Sequence, residues 1–305
     1  MITRREFVGT GAAALMASQL AWAAKQEKLP LAFSTLGCPK WELSKILEFA
    51  QSNGFAAVEL RGLMGTLDLP SRPEFAPDRI AQTKKEIADR AIQIACVSSS
   101  TELHIADPGK RAQGIADGKR FIDLAQSLGA PNVRVFGNKF EGDTREEVIA
   151  RVASGMHEMA KYAGPRGVTV IIESHGDFVD SPTLKEVLTR ANSDHVGLLW
   201  DAHHTFVDGH EQPPRTVAEL GQWIRHTHLK DSIQDGKERK YVLPGKGEVP
   251  MKAQVDALRR IDYEGYYCFE WEKVWHPDLL EPEVAFPDYV RVMTGYLADK
   301  QVSRY

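Results

Sequence analysis

Short apolar, β-rich runs recur along the chain, each followed by a stretch with apolar residues at helical spacing. Residues 29–35 form the first such run. Residues 41–53 follow, with Leu43, Ile46, Leu47 and Ala50 on one helical face and Gly54 where a helix C-cap belongs. The alternation continues, with predicted strands at 55–60, 92–97, 132–136, 168–172, 196–200, 226–229 and 266–271. Predicted helices lie between and after them, at 77–90, 110–128, 145–163, 182–191, 217–223, 251–261 and 287–297. Strands that alternate with helices build parallel βαβ units, and eight such units close into a single (β/α)8 barrel of the TIM type. An open doubly wound sheet is the rival, but no G-x-G-x-x-G opens the first helix. No linker or second core divides residues 24–305, so they form one domain. The longer connections at 62–76, 137–144, 202–216 and 230–250 all follow strands, the side on which such barrels build their sites.

Composition agrees with one barrel. The chain has 305 residues, and such barrels usually take roughly 250. With 43% hydrophobic and 26% charged residues it has the makings of a packed core. A net charge of −4 provides no basic excess for a polyphosphate backbone, so nucleic acid is not an expected partner. Cys38, Cys96 and Cys268 are too few and too scattered for a disulfide scaffold or a CxxC metal site, and Cys96 and Cys268 read as buried strand thiols. Residues 1–23 read as an address. Arg4-Arg5 has the form of a twin-arginine export signal, an apolar stretch too short for a stable membrane span follows, and Ala21-Trp22-Ala23 offers a cleavage site. The twin-arginine export machinery is thus an expected partner, and a periplasmic mature chain beginning at Ala24 the expected product. A homo-oligomer is left open.

Polar residues collect at the ends of the last four predicted strands. Ile172 runs into Glu173-Ser174-His175, Trp200 into Asp201-Ala202-His203-His204, His226-Thr227-His228 into Lys230, and Phe269 into Glu270-Trp271-Glu272. Side chains alternate along a strand, so Glu173 and His175 share a side, as do His226, His228 and Lys230, and Glu270 and Glu272. If those sides face the axis, Glu173, Asp201, His228 and Glu270 converge. Three acids and an imidazole repel protonation-free packing, and a divalent cation with mostly oxygen ligands resolves the conflict. Mn²⁺ is the expected ion, with Mg²⁺, Co²⁺, Fe²⁺ and Zn²⁺ as other candidates. Glu272 competes with Glu270 for the last ligand position. Arg61 and Glu59, near the end of the second strand, are candidates for substrate contact or for a barrel-core ion pair. His104, after the third strand, is a candidate for the pocket wall. Arg134 and Phe136 share an inward parity, with Phe136 read as packing. Gly245-Lys246-Gly247 reads as a turn.

The constellation resembles the xylose isomerase-like barrel superfamily, in its sugar isomerase/epimerase branch. The resemblance runs from about Leu29 to the C-terminus and rests on Glu-Ser-His-Gly at 173–176, Asp-Ala-His-His at 201–204, His-Leu-Lys-Asp at 228–231 and Glu-Trp-Glu-Lys at 270–273. It implies one divalent metal ion held by Glu173, Asp201, His228 and Glu270, and a small sugar, ketose or polyol as substrate; with export expected and no phosphate cradle in the sequence, an unphosphorylated sugar or keto-sugar derivative is the expectation. It implies Glu173 and Glu270 as catalytic acid and base, and His175, His204 and Lys230 as substrate neighbours. The implied chemistry is proton abstraction beside a carbonyl through a metal-stabilised enediolate. Reprotonation gives an isomerase or epimerase, the leading reading. Loss of a β-substituent from the same intermediate gives a lyase or dehydratase. An exported carbohydrate-binding barrel without catalysis is the non-enzymatic alternative.

Overall fold

The structure, a computed structural model, describes residues 28–299. The expected export signal, its expected cleavage site and the expected domain boundary after Ala23 lie outside the described residues. Eight parallel strands close into a barrel: β1 (Leu31–Ser34), β2 (Ala57–Leu60), β3 (Gln93–Glu102), β4 (Asn132–Phe136), β5 (Thr169–Glu173), β6 (Val196–Asp201), β7 (Ile224–Leu229) and β10 (Tyr267–Phe269). Each pairs with its neighbour in sequence, and β10 closes the ring between β7 and β1. The single (β/α)8 barrel is therefore borne out. Helices α1 (Leu43–Ser52), α2 (Ile80–Asp89), α3 (Pro108–Leu128), α4 (Arg145–Ala163), α5 (Ser181–Ala191), α7 (Pro213–Leu220), α8 (Met251–Arg260) and α9 (Pro282–Ala298) follow the strands, and α6 (Ala202–Val207) is an additional turn after β6.

Strand parity explains where the core sits. One set of side chains on each strand joins the main apolar cluster with the helices, as Phe33, Val58, Val133, Val170, Leu198 and Phe269 do. The alternate set forms two separate apolar clusters, Ala32/Ala57/Ala95/Cys268 and Cys96/Ile171/Leu199. Two residues further along the same faces stand Ser34, Glu59, Ser98, Glu173, Asp201 and Glu270. The second set thus changes from small and apolar to charged toward the strands' C-terminal ends. All three cysteines are buried and free, as expected for the strand thiols. No helix among the described residues is long and apolar enough to cross a membrane.

Four expectations need correction. β3 continues five residues past Val97, because Ser99 and Thr101 spend their hydroxyls on the Arg134 and Gly114 carbonyls and can be buried without an apolar pattern. Residues 202–216 are not a plain loop, since Asp201 caps α6 and Pro213 opens α7 ahead of the expected start. Residues 231–242 form an antiparallel hairpin, β8 (Asp231–Asp235) with β9 (Glu238–Val242), whose alternation is too polar to be read as strand. α9 starts at Pro282, so Pro287 lies inside the helix rather than opening it.

Candidate metal centre and cavity

Glu173 ends β5, Asp201 ends β6, His228 is the penultimate residue of β7, and Glu270 directly follows β10. Register puts Asp201 beside His228, and His228 beside Cys268 two residues before Glu270. One ligand atom from each of the four lies within 4.8 Å of the others, and all four residues are buried. His228 Nδ1 stands 3.1 Å from Glu270 Oε1, 3.5 Å from Glu173 Oε1 and 3.7 Å from Asp201 Oδ2.

Other contacts hold the four in this orientation. Asp201 Oδ1 accepts the His203 and His204 backbone N–H groups at 3.0 Å each, capping α6 and leaving Oδ2 for the centre. Arg134 Nη1 lies 3.1 Å from Glu173 Oε2. Glu59, with no exposure, accepts from Ser34 Oγ at 2.9 Å, from His226 Nε2 at 2.9 Å and from His228 Nε2 at 2.7 Å. A carboxylate can only accept, so the Nε2 proton of His228 points to Glu59 and Nδ1 points to the acids. Glu59 is therefore a core ligand of imidazoles rather than a substrate contact.

The cluster's charge is already partly balanced, which the expected mutual repulsion overlooked. Lys230 Nζ donates to Asp201 Oδ2 at 2.7 Å and to Glu270 Oε2, and pairs with Glu272 Oε1 at 2.7 Å. Burial works against it, yet these acids hold the Lys230 ammonium well above its usual range. Burial likewise opposes ionisation of Glu173, but Arg134 and His228 hold its carboxyl down to about 2. Asp201 is kept well below the usual range by His204 and Lys230 despite burial. The set still fits a cation. His228 Nδ1 is buried without a hydrogen bond and faces an oxygen from each of three acids. Glu272 instead bonds Lys230 and accepts from the Tyr241 hydroxyl at 3.0 Å, so geometry selects Glu270 for the ligand position.

A cavity of about 300 Å³ opens over this centre. Glu173, Glu270 and Glu272 reach it from below, and Leu36 and Trp275 belong to its lining. Arg61 lines it with its Nη1 buried and unpaired. His175 and His204 also line it, their rings 5.1 Å apart. His175 Nδ1 donates to Asn138 Oδ1 at 2.9 Å, and Asn138 Nδ2 donates to Glu102 Oε1 at 2.6 Å. Gly176 makes this possible: its φ is +63°, and a Cβ there would lie 2.3 Å from the Asn138 carbonyl oxygen. His204 Nδ1 donates to Asp208 Oδ2 at 2.8 Å. Burial opposes it, but Asp201 and Asp208 raise the His204 imidazole above its ordinary value, so it retains a proton more readily than His175, which burial lowers.

Arg61, His175 and His204 thus stand where the sequence put them, at the cavity. Lys230 does not: it is 1% exposed, enclosed by three acids, and organises the ligands rather than the cavity wall. His104 is also displaced. It is buried beside β3, its carbonyl accepting from Arg151, and does not line the cavity. Phe136, read as packing, lines the cavity with the Arg134 guanidinium 3.8 Å from its ring centre. Glu102 and Asn138 were missed because neither ends a recognisable apolar run.

The profile described as the xylose isomerase-like TIM barrel matches residues 47–293. An inosose dehydratase of Glaesserella parasuis serovar 5 (strain SH0165) is 26% identical, over 89% of this chain and 99% of its own length. The zinc-bound crystal structure of the IOLI protein superposes with a TM-score of 0.74 at 19% identity, covering 89% of this chain and all of that one. The D-psicose 3-epimerase of Clostridium cellulolyticum H10, solved with D-tagatose, gives 0.71 at 16% identity, covering 89% and 100%.

Proposed function

The chain belongs to the xylose isomerase-like TIM barrel family, and from that premise we propose that it is a divalent-metal-dependent enzyme acting on an unphosphorylated polyhydroxy ketone, a sugar or cyclitol derivative. The observation that carries this reading is the convergence of Glu173, Asp201, Glu270 and the free Nδ1 of His228 beneath one cavity. A divalent ion held by these four would polarise the substrate carbonyl and acidify the adjoining C–H bond. Glu173 and Glu270 come from β5 and the end of β10, and are placed to take a proton from, or return one to, a carbon between them. Against burial, Arg134 holds the Glu173 carboxyl well below its usual range, and Lys230 pairs with Glu270. Arg61, with Nη1 free, steadies negative charge on a substrate oxygen.

Elimination is the outcome we favour, so the protein is read as a lyase or dehydratase. Its support is the dehydratase relative matched along nearly its full length, together with His204, a proton-holding imidazole at the cavity that can protonate a departing hydroxyl. Isomerisation or epimerisation is the second reading, favoured by the two carboxylates brought to the cavity from separate strands and by the epimerase of like fold. Mn²⁺ is the ion we expect. Incubating the metal-loaded protein with an inosose or a keto-glycoside in D₂O separates the readings. Elimination gives an unsaturated ketone with new ultraviolet absorbance and a vinyl proton signal. Epimerisation gives a diastereomer carrying deuterium and neither signature. No change in either substrate with any divalent ion would overturn both.

A further inference from the structure

Beside the catalytic cavity lies a second, smaller recess of about 140 Å³. The two share Leu36 and Trp275 as walls, so they adjoin. The rest of the recess is apolar, with Pro39, Leu63, Leu67 and Val274 around it. Most of its polar groups are already used. Thr35 Oγ1 donates to the Gly62 carbonyl at 2.6 Å and accepts from the Arg61 and Gly62 N–H groups. Leu63 and Thr66 exchange backbone hydrogen bonds, Gly65 N–H bonds the Pro39 carbonyl, and Val274 N–H bonds the Leu36 carbonyl. A wall whose remaining donors are the Trp275 indole N–H and the Thr66 hydroxyl discriminates against hydroxyls, most of which would lose their water there without replacement. Trp275 meanwhile presents a 53% exposed indole at the junction.

These features do not suit any part of a free sugar. They suit a ring-sized apolar group: an apolar cavity of about 150 Å³ holds a benzene ring. We propose that the recess is an aglycone subsite, and that the substrate is a polyhydroxylated keto ring bearing an aromatic or similarly apolar substituent. The keto ring occupies the cavity over Glu173 and Glu270. The substituent passes between Leu36 and Trp275 and stacks on the indole. This rests on the function proposed above, which supplies the ring in the neighbouring cavity.

The test compares phenyl and methyl β-glycosides of one hexose whose ring carries a free ketone (a 3-keto-glycoside) on the metal-loaded full chain, with binding read by calorimetry and turnover by NMR. The phenyl compound should bind about tenfold more tightly or better, since only it buries an aromatic ring. The difference should vanish in Leu67→Asn, which brings an amide into the recess, and in Trp275→Ala, which removes the stacking wall. Equal affinity of both compounds for the wild-type protein would overturn the subsite, while metal-dependent turnover of the methyl compound would leave the proposed function standing. Preference for the phenyl compound without turnover of either glycoside, or of an inosose, with any divalent ion would uphold the apolar recess and overturn the proposed function.

Discussion

Glu59 never touches the cavity, yet its replacement by Gln is expected to weaken metal binding. Its carboxylate has no solvent exposure and receives two imidazole N–H groups, from His226 and His228, on Oε2. Gln offers one oxygen of similar shape, so both imidazoles retain an acceptor but lose the charge. A hydrogen bond to a charged group is worth about 1.5–3 kcal/mol and a neutral one about 0.5–1.5, so the two weakened bonds amount to about 2–3 kcal/mol. Part of this appears as reduced basicity of His228 Nδ1. Removing such an outer partner costs about 10–100-fold in metal affinity, or about 1.4–2.8 kcal/mol, which is compatible with that sum. The assay is competitive titration against a chromophoric chelator, with urea unfolding of the metal-free protein as a control for the fold. A folded Glu59→Gln protein binding metal within twofold of wild type would show that Glu59 does not govern the ligand histidine.

Three further outcomes are expected. Glu173→Gln and Glu270→Gln each keep an oxygen for the ion but lose the base, so each should bind metal, more weakly, and lose solvent deuterium exchange into substrate. Wild-type exchange in both would move the base elsewhere, with His175 next. Burial works against it, but Glu270 and Glu59 hold His228 well above its usual value in the metal-free protein. Its proton is therefore displaced on metal binding, and affinity should rise about tenfold per pH unit while the pH stays below that raised pKa. Calorimetry in buffers of different ionisation enthalpy should find about one proton released per ion, and none would contradict the ligand role of His228. Changing Arg4 and Arg5 together to Lys should hold the precursor in the cytoplasm, whereas normal export would show the signal misread.

The eight-fold alternation was legible because most strands carry a run with apolar residues on both faces, as in Val170–Ile172 and Val196–Trp200. Glu173, Asp201 and Glu270 were legible for the same reason, since each is the polar residue that interrupts such a run on the inward parity, and His228 was legible from its alternation with His226 and Lys230. What stayed hidden depends on contacts between distant segments. Nothing near Lys230 in sequence shows that Asp201, Glu270 and Glu272 will surround it and draw it away from the cavity. The Asn138–His175 bond joins two loops through a glycine whose need for positive φ is invisible until they meet. The α6 turn owes its start to the Asp201 side chain, a residue already read as a ligand, and one carboxylate serves both ends. The β8–β9 hairpin is polar on both faces and offers no periodicity to read.

The central claim is that Glu173, Asp201, His228 Nδ1 and Glu270 hold one divalent ion. The most direct test is anomalous diffraction at the manganese edge from crystals of the full chain grown with Mn²⁺. The expected result is a single strong peak with all four side chains at roughly 2.0–2.4 Å and the Glu59–His228 bond intact. The contradicting result is either no peak at that position or a peak in the neighbouring buried group of Glu59, His226, His228 and Cys268, which would place the ion below the cavity and leave the proposed proton transfers without their metal.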